Sequence, residues 1–217
     1  MRFFIVLISF CTSLTLYGQI DSSNTPSVLF NDYSPLSTSY YGNLLFQPGI
    51  KLALDRNLLK IEKSKVKKRK TKYTQKLLYF QPNLTFYVHP KALAVLQLNT
   101  ELGWRRYNSR LLFSEVALSI GYSRRFNQGE TYFADPAGNI TDSKKGTSRG
   151  YFATGISLGC GAVIFIQEKP ITLYSKLNAN ILKAYNAGLL TEGILEFGIR
   201  FQPNFGLRNT TVKTIIK

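Results

Sequence analysis

Leu195-Glu196-Phe197-Gly198-Ile199-Arg200-Phe201-Gln202, near the carboxyl end of this 217-residue chain, alternates large apolar residues with charged or small ones. Successive side chains of a strand point to opposite faces. Leu195, Phe197, Ile199 and Phe201 therefore share one side of a sheet, with Glu192, Glu196, Arg200 and Gln202 on the other. Six further stretches repeat the pattern over about ten positions each, the length with which a tilted strand crosses a bilayer.

Moving upstream, Ile171, Leu173, Leu177 and Ile181 oppose Thr172, Tyr174, Lys176, Asn178 and Asn180. Phe152, Ile156, Leu158, Ile164 and Ile166 oppose the small residues Ala153, Gly155, Ser157, Gly159 and Gly161, and these glycines are expected to leave room for long side chains from opposite strands. Leu112, Val116, Leu118, Ile120 and Tyr122 back onto Glu115, Ser119 and Gly121. Leu96, Leu98, Leu102 and Trp104 back onto Gln97, Asn99, Glu101 and Arg105, and Leu78, Phe80, Leu84 and Phe86 onto Tyr79, Gln81, Asn83 and Tyr87. The first clear run sets Leu44, Phe46, Ile50, Leu52 and Leu54 against Gln47, Lys51 and Asp55. Turns are expected at His89 and Pro90, at Asn108 and Ser109, at Glu168 to Pro170 and at Asn186 to Gly188.

One long irregular segment, 126–150, contains Asp135, Pro136, Gly138, Asn139 and Gly146. Long loops of outer-membrane barrels face outward and short turns face the periplasm, so this segment is placed outside the cell. Counting strands from it sends the last run down into the periplasm and starts the first clear run outside. An even-stranded barrel then requires an eighth strand within 27–41, where Ser, Thr, Asn and Tyr beside Pro26 and Pro35 show little alternation. The expected fold is all-β, an antiparallel up-and-down transmembrane β-barrel of eight strands. Residues 1–18 read as a cleaved signal peptide, 19–41 as a polar lead-in or weak first strand, 42–205 as the barrel and 206–217 as a polar tail.

The signal-peptide reading rests on Arg2, the apolar run from Phe3 to Phe10, and the small residue Gly18. The run is too short and too interrupted by Thr12, Ser13 and Thr15 for a spanning helix, and bulky Phe10 before Cys11 argues against a lipoprotein. The mature chain then keeps Cys160 alone, so no internal disulfide is expected.

The net charge of +16 is uneven: residues 60–76 hold nine Lys or Arg against Glu62. This run reads as a solvated loop, and its functional reading is attraction of Lys63, Lys65, Lys67, Lys68, Arg69, Lys70 and Lys72 to an anionic surface such as acidic headgroups or lipopolysaccharide phosphates. Strand parity places it in the periplasm. Nucleic acid is not an expected partner of an exported barrel, despite the basic charge.

Lys51, Asp55, Glu101, Arg105, Glu115, Lys176, Glu192, Glu196 and Arg200 form the richest polar set. Charges removed from water must be paired, and an eight-stranded barrel is just wide enough for side chains to fill, so the expected role is a lumenal network of ion pairs. A path for small solutes and a catalytic site are the competing readings. His89 is the single histidine, and without nearby Cys or clustered carboxylates it supports neither metal binding nor acid-base work. No nucleophile triad, phosphate loop or two-cysteine metal motif is legible, so no cofactor, metal or enzymatic activity is expected.

As a pattern of faces rather than a motif, residues 44–205 resemble small outer-membrane β-barrel proteins of Gram-negative bacteria, in the size class of the OmpA transmembrane domain and OmpX. The resemblance implies architecture, outer-membrane location, and dependence on outer-membrane lipid and the barrel-insertion machinery. It transfers no functional residue and no specific protein partner. Many such barrels end on an aromatic residue, whereas here Phe201 and Phe205 are followed by the polar tail. The leading functional expectation is a non-enzymatic barrel with a structural or surface-interaction role. A narrow, porin-like solute channel is the alternative, and a lipid-modifying enzyme a third. A secreted soluble β-barrel is the rival architecture, because alternation alone does not say which face is inside.

Overall fold

The computed structural model describes residues 35–42, 48–67, 70–89, 93–108, 110–127, 132–134, 140–142, 148–166, 169–185, 188–201 and 213–216. The signal-peptide expectation for residues 1–18 lies outside them. The strands are β1 (Leu36–Gly42), β2 (Gly49–Leu54), β3 (Arg56–Lys67), β4 (Lys70–His89), β5 (Leu93–Asn108) and β6 (Leu112–Asn127). They continue with β7 (Tyr132–Ala134), β8 (Ile140–Asp142), β9 (Ser148–Ile166), β10 (Lys169–Tyr185), β11 (Gly188–Phe201) and β12 (Lys213–Ile216).

Each main strand pairs antiparallel with its neighbours in sequence, and β1 pairs with β11 to close the ring. β2 and β3 occupy one position in the wall, since both pair with β4, so the ring has eight strands. The eighth strand that parity required is β1, where Ser37, Ser39 and Tyr41 turn inward. The barrel thus begins at Leu36, inside the segment 19–41 and ahead of the boundary at 42 that alternation suggested. One end of the barrel carries the start of β1, the end of β11 and the β3–β4 hairpin. The other carries the β6–β9 connection, in which β7 and β8 form a small hairpin of their own.

Three elements depart from the expected pattern. The basic stretch is a hairpin and not a loop: β3 and β4 stay in register through Lys63↔Thr74, Lys65↔Lys72 and Lys67↔Lys70. Its β-favouring Val66, Thr71, Tyr73 and Thr74 interleave with the lysines and let the ladder run on. Lys68 and Arg69 lie outside the described residues. Within the polar tail, β12 adds to the wall in parallel, pairing Lys213 with Leu59 and Ile216 with Glu62. The wall position shared by β2 and β3 is broken at Asp55. Ala53 faces Asn83 and Arg56 faces Phe80, so the break falls beside Pro82, which has no N–H to donate.

The apolar faces point outward. Among the described residues 24 large apolar side chains are exposed, whereas Lys51, Asp55, Glu101, Arg105, Lys176, Glu196 and Arg200 are buried inside. Apolar clusters also occur in the lumen, at two levels. Leu77, Tyr107, Leu111, Phe113, Val163 and Tyr174 fill it towards the end that carries the termini of the ring, taken as the lower end, the opposite end being the upper. Tyr41, Tyr87, Val95 and Ile194, with a second cluster of Tyr151, Ala153 and Leu182, fill it towards the other.

Lumenal glycines make room for bulk, but the occupants come from adjacent strands rather than from opposite ones. Gly155 lies beneath its cross-strand partner Asn180, Gly159 beneath Lys176 and Glu115, and Gly161 beneath Phe113. Gly198 is covered by Tyr174 on one side and Ser39 on the other, and a Cβ there would meet the Tyr174 ring at 2.5 Å. Gly193, five residues earlier on the outward face, has open space around it. Gly198→Ala is therefore expected to destabilise by roughly 1–3 kcal/mol, as overpacking does, with Gly193→Ala near neutral. Urea titration of the folded protein in lipid vesicles measures both.

The β5–β6 turn holds a second local conflict. Asn108 Oδ1 accepts from the backbone N–H groups of Arg110 and Leu112, and Leu111 takes the left-handed conformation at φ 59°. Glycine is the usual residue there, and a Cβ costs about 1–2 kcal/mol. Leu111 stands there because its side chain seals the lower apolar cluster and its carbonyl accepts from Val163 N–H. Leu111→Ala loses burial and keeps the strain, whereas Leu111→Gly loses burial and relieves it. Gly is expected to be the milder substitution by about 1 kcal/mol, the reverse of the ordinary order in a strand. The same titration compares the two.

Candidate functional site

The inward faces of β2, β5, β6, β10 and β11, with Asp55 between β2 and β3, bring eight of the nine sequence-selected charges into one continuous chain. Lys51 Nζ lies 3.0 Å from Glu196 Oε2 and 2.5 Å from Glu101 Oε1. Lys176 Nζ then links Glu101 Oε2 to Glu115 Oε1, each at 3.2 Å. Arg105 spans Glu115 at 2.5 Å and Asp55 at 3.1 Å, and Arg200 Nε reaches Asp55 Oδ2 at 2.7 Å. In order the chain reads Glu196, Lys51, Glu101, Lys176, Glu115, Arg105, Asp55, Arg200. Anion and cation alternate throughout, four of each, and all eight are buried.

Neutral groups complete the coordination. Ser39 and Tyr174 hydroxyls donate to Glu196 Oε1 at 3.1 and 3.0 Å, and Asn178 donates to its Oε2 at 3.3 Å. Asn83 donates to Glu101, and Gln81 to Asp55. The Arg105 guanidinium stacks over the Tyr79 ring at 4.3 Å and that of Arg200 over Tyr174 at 4.6 Å. Arg200 depends on Coulomb attraction and stacking: it is close to Asp55 and Glu115 yet makes no hydrogen bond of good geometry.

Asp55 is placed by the interruption between β2 and β3. Its N–H donates to the Pro35 carbonyl at 2.9 Å, and its carboxylate turns into the lumen between two arginines. The ninth selected residue, Glu192, stands apart, nearer the opposite end, where it pairs with Arg125 and accepts from the Tyr87 hydroxyl at 3.1 Å. Arg125 escapes a reading that stops at Tyr122, although carrying the alternation of β6 two steps further finds it on the inward face. Ser37, Ser39 and Gln81 were likewise missed as network members.

Between the ion-pair chain and the upper apolar cluster lies a layer of amides and hydroxyls. Within it Asn83 Oδ1, Thr85 Oγ1, Gln97 Oε1, Asn99 Oδ1 and Ser123 Oγ, on three adjacent strands, have no protein partner. Among the described residues no group of three or more His, Cys, Asp and Glu is arranged to hold a metal ion, and His89 sits at the end of β4 opposite Leu93. The chemistry of this lumen is mutual neutralisation of fixed charge. The anionic-surface lysines are far from it: Lys63 is exposed on the outer wall, and the backbone register continues through Lys65, Lys67, Lys70 and Lys72.

Compared with known proteins, the chain matches no protein-family model and no curated sequence. Among solved structures it is similar to Neisserial surface protein A (NspA), at 11% identity, with 78% of this chain and 94% of that chain covered and a TM-score of 0.41.

Because each buried charge is held by its neighbours, removing one partner leaves others buried and unpaired. Asp55→Ala leaves Arg105 and Arg200 sharing Glu115 and is expected to cost about 3–5 kcal/mol. Adding Arg200→Leu removes the surplus cation, so the double variant is expected to be more stable than Asp55→Ala alone. Additive losses in urea titrations would show that the two do not act as a pair.

Proposed function

We propose that this chain is a non-enzymatic β-barrel of the bacterial outer membrane, with a side-chain-filled lumen and a structural or surface-interaction role. One observation carries the reading: the charges are inside and paired while the apolar residues are outside. In a soluble barrel the aliphatic face would fill the core and the carboxylates would face water. Here Leu118, at mid-height on β6, is 64% exposed, while Glu196 on β11 is fully buried. Such a wall suits hydrocarbon, and a closed ring leaves no unpaired strand edge in it.

The occupied lumen favours a structural role over conduction. Apolar clusters bracket the ion-pair chain at both levels, and its four anions and four cations cancel, leaving no net field to select a permeating ion. A nucleophile and base at the rim, which lipid chemistry would need, have no support in the described residues.

Cell fractionation tests the location: the protein is expected in the detergent-extracted outer-membrane fraction, and recovery in the soluble periplasm would overturn the proposal. Leu118→Arg tests the inside-out wall, with an expected loss of about 2–4 kcal/mol in vesicles; a neutral result would mean that this face meets water. Conductance across a planar bilayer tests the filled lumen. No steady pore is expected from the native protein, and a steady one re-tuned by Glu101→Gln would make this a channel.

A further inference from the structure

Because the lumenal charges cancel among the described residues, the positive charge that the described side chains carry in excess lies outside the lumen, and its distribution there is not uniform. Every charged side chain that is exposed among the described residues is a cation. Of the acids whose side chains are described, Asp55, Glu101, Glu115, Glu192 and Glu196 are paired within the lumen, and Glu62 is 2.6 Å from Lys60. At the end carrying the ring's termini, these cations stand where the apolar wall stops. Leu102 and Leu78 face outward, followed by Trp104 and then by Lys76 and Arg106, which are direct cross-strand partners. Lys76 Nζ lies 5.9 Å from the centre of the Trp104 ring. Lys63 is exposed one step beyond, facing Thr74, and the ladder carries Lys65↔Lys72 and Lys67↔Lys70 outward from there. Exposed Arg110 and Lys169 continue the rim on the neighbouring turns.

We propose that this rim, centred on Lys63, Lys76 and Arg106, binds the phosphate groups of anionic phospholipids in the leaflet on the side of the barrel's termini. The inference rests on the membrane reading above and goes beyond it by naming the lipid class and the leaflet. An amphipathic indole at the edge of an apolar band marks the boundary between hydrocarbon and headgroup. Lysine and arginine stems lie along apolar surface and carry their charge out to the level where phosphates sit. The rim presents cations without exposed acids among the described residues, so attraction to anionic headgroups is not offset locally. At the opposite end Arg124, Arg149 and Lys183 are also exposed, and the connecting segment there brings Glu130, Asp135 and Asp142 against Lys144 and Lys145 in sequence, so the cations of that end are partly offset.

Trp104 is the only tryptophan of the chain and stands at this rim, so it reports directly on the lipid beside it. The mature protein is folded into phosphatidylcholine vesicles in which the same minor fraction of either phosphatidylcholine or phosphatidylglycerol carries brominated, fluorescence-quenching chains. Brominated phosphatidylglycerol is expected to quench Trp104 more strongly, with a relative binding constant higher by about five-fold, the factor for roughly one well-placed cation at an anionic surface. The preference is expected to vanish in about 1 M salt, where the screening length is about 3 Å, and in the Lys63→Gln/Lys76→Gln/Arg106→Gln variant. It is expected to persist in Arg124→Gln/Lys183→Gln. Equal quenching by the two lipids, or a preference kept by the triple variant, overturns the proposal; should that variant not insert, the salt dependence of the native chain decides. Displacement of the brominated lipid by lipopolysaccharide but not by unlabelled phosphatidylglycerol assigns the rim to the other leaflet's lipid and also overturns it. Absence of quenching by either lipid overturns the membrane reading itself, which separates the two failures.

Discussion

Eight acidic and basic side chains buried together in the lumen impose the constraint on which the barrel depends. An unpaired charge there costs several kcal/mol, and attraction offsets that cost only when partners are held at contact distance. The alternating chain from Glu196 to Arg200 meets the requirement by giving each interior member two oppositely charged neighbours. Its members come from five wall positions, so the attraction acts across the ring as well as along it. A slip of one residue in any of these strands would turn its charge out of the lumen and strand its partners, which ties register to charge balance.

Backbone irregularities serve the same end. The break at Asp55 beside Pro82, followed by a bulge between Asn57 and Leu59, lets one carboxylate reach two arginines at the expense of ladder continuity. Small residues are set directly across from large ones, as Gly198 is from Tyr174, so that a narrow lumen admits aromatic rings without spreading the wall. Leu111 accepts a left-handed backbone to place an apolar side chain at the lower seal. In each case local strain or lost pairing is exchanged for a filled interior.

Neutralising the lumen also sorts charge by location. Among the described side chains every acid but Glu62 lies in the lumen, paired with lysine or arginine, and the exposed charges beyond the apolar band are cations. The described lumen, with five anions and five cations, therefore adds nothing to the overall charge of +16. The β3–β4 hairpin extends past the last β4–β5 pair, Thr74↔Asn108, and concentrates this charge at one end.

By itself the sequence determined the strands and their two faces, because a period of two is written residue by residue: Lys51, Glu101, Arg105, Glu115, Lys176, Glu196 and Arg200 all fall on the polar face. Parity even required β1, whose Ser37, Ser39 and Tyr41 give almost no hydropathy contrast with Thr38 and Tyr40. Only the tertiary structure decided which charges meet, since neighbours across a closed ring depend on register and stagger that alternation does not encode; Glu192 therefore parts from the chain to join Arg125. It also decided that lysine-rich residues 60–67 and 70–76 extend as strands, because a ladder begun in the wall supplies hydrogen bonds that local composition does not reveal. Which face looks outward is likewise a property of closure: the same alternation fits a soluble barrel until the buried charges are seen to pair.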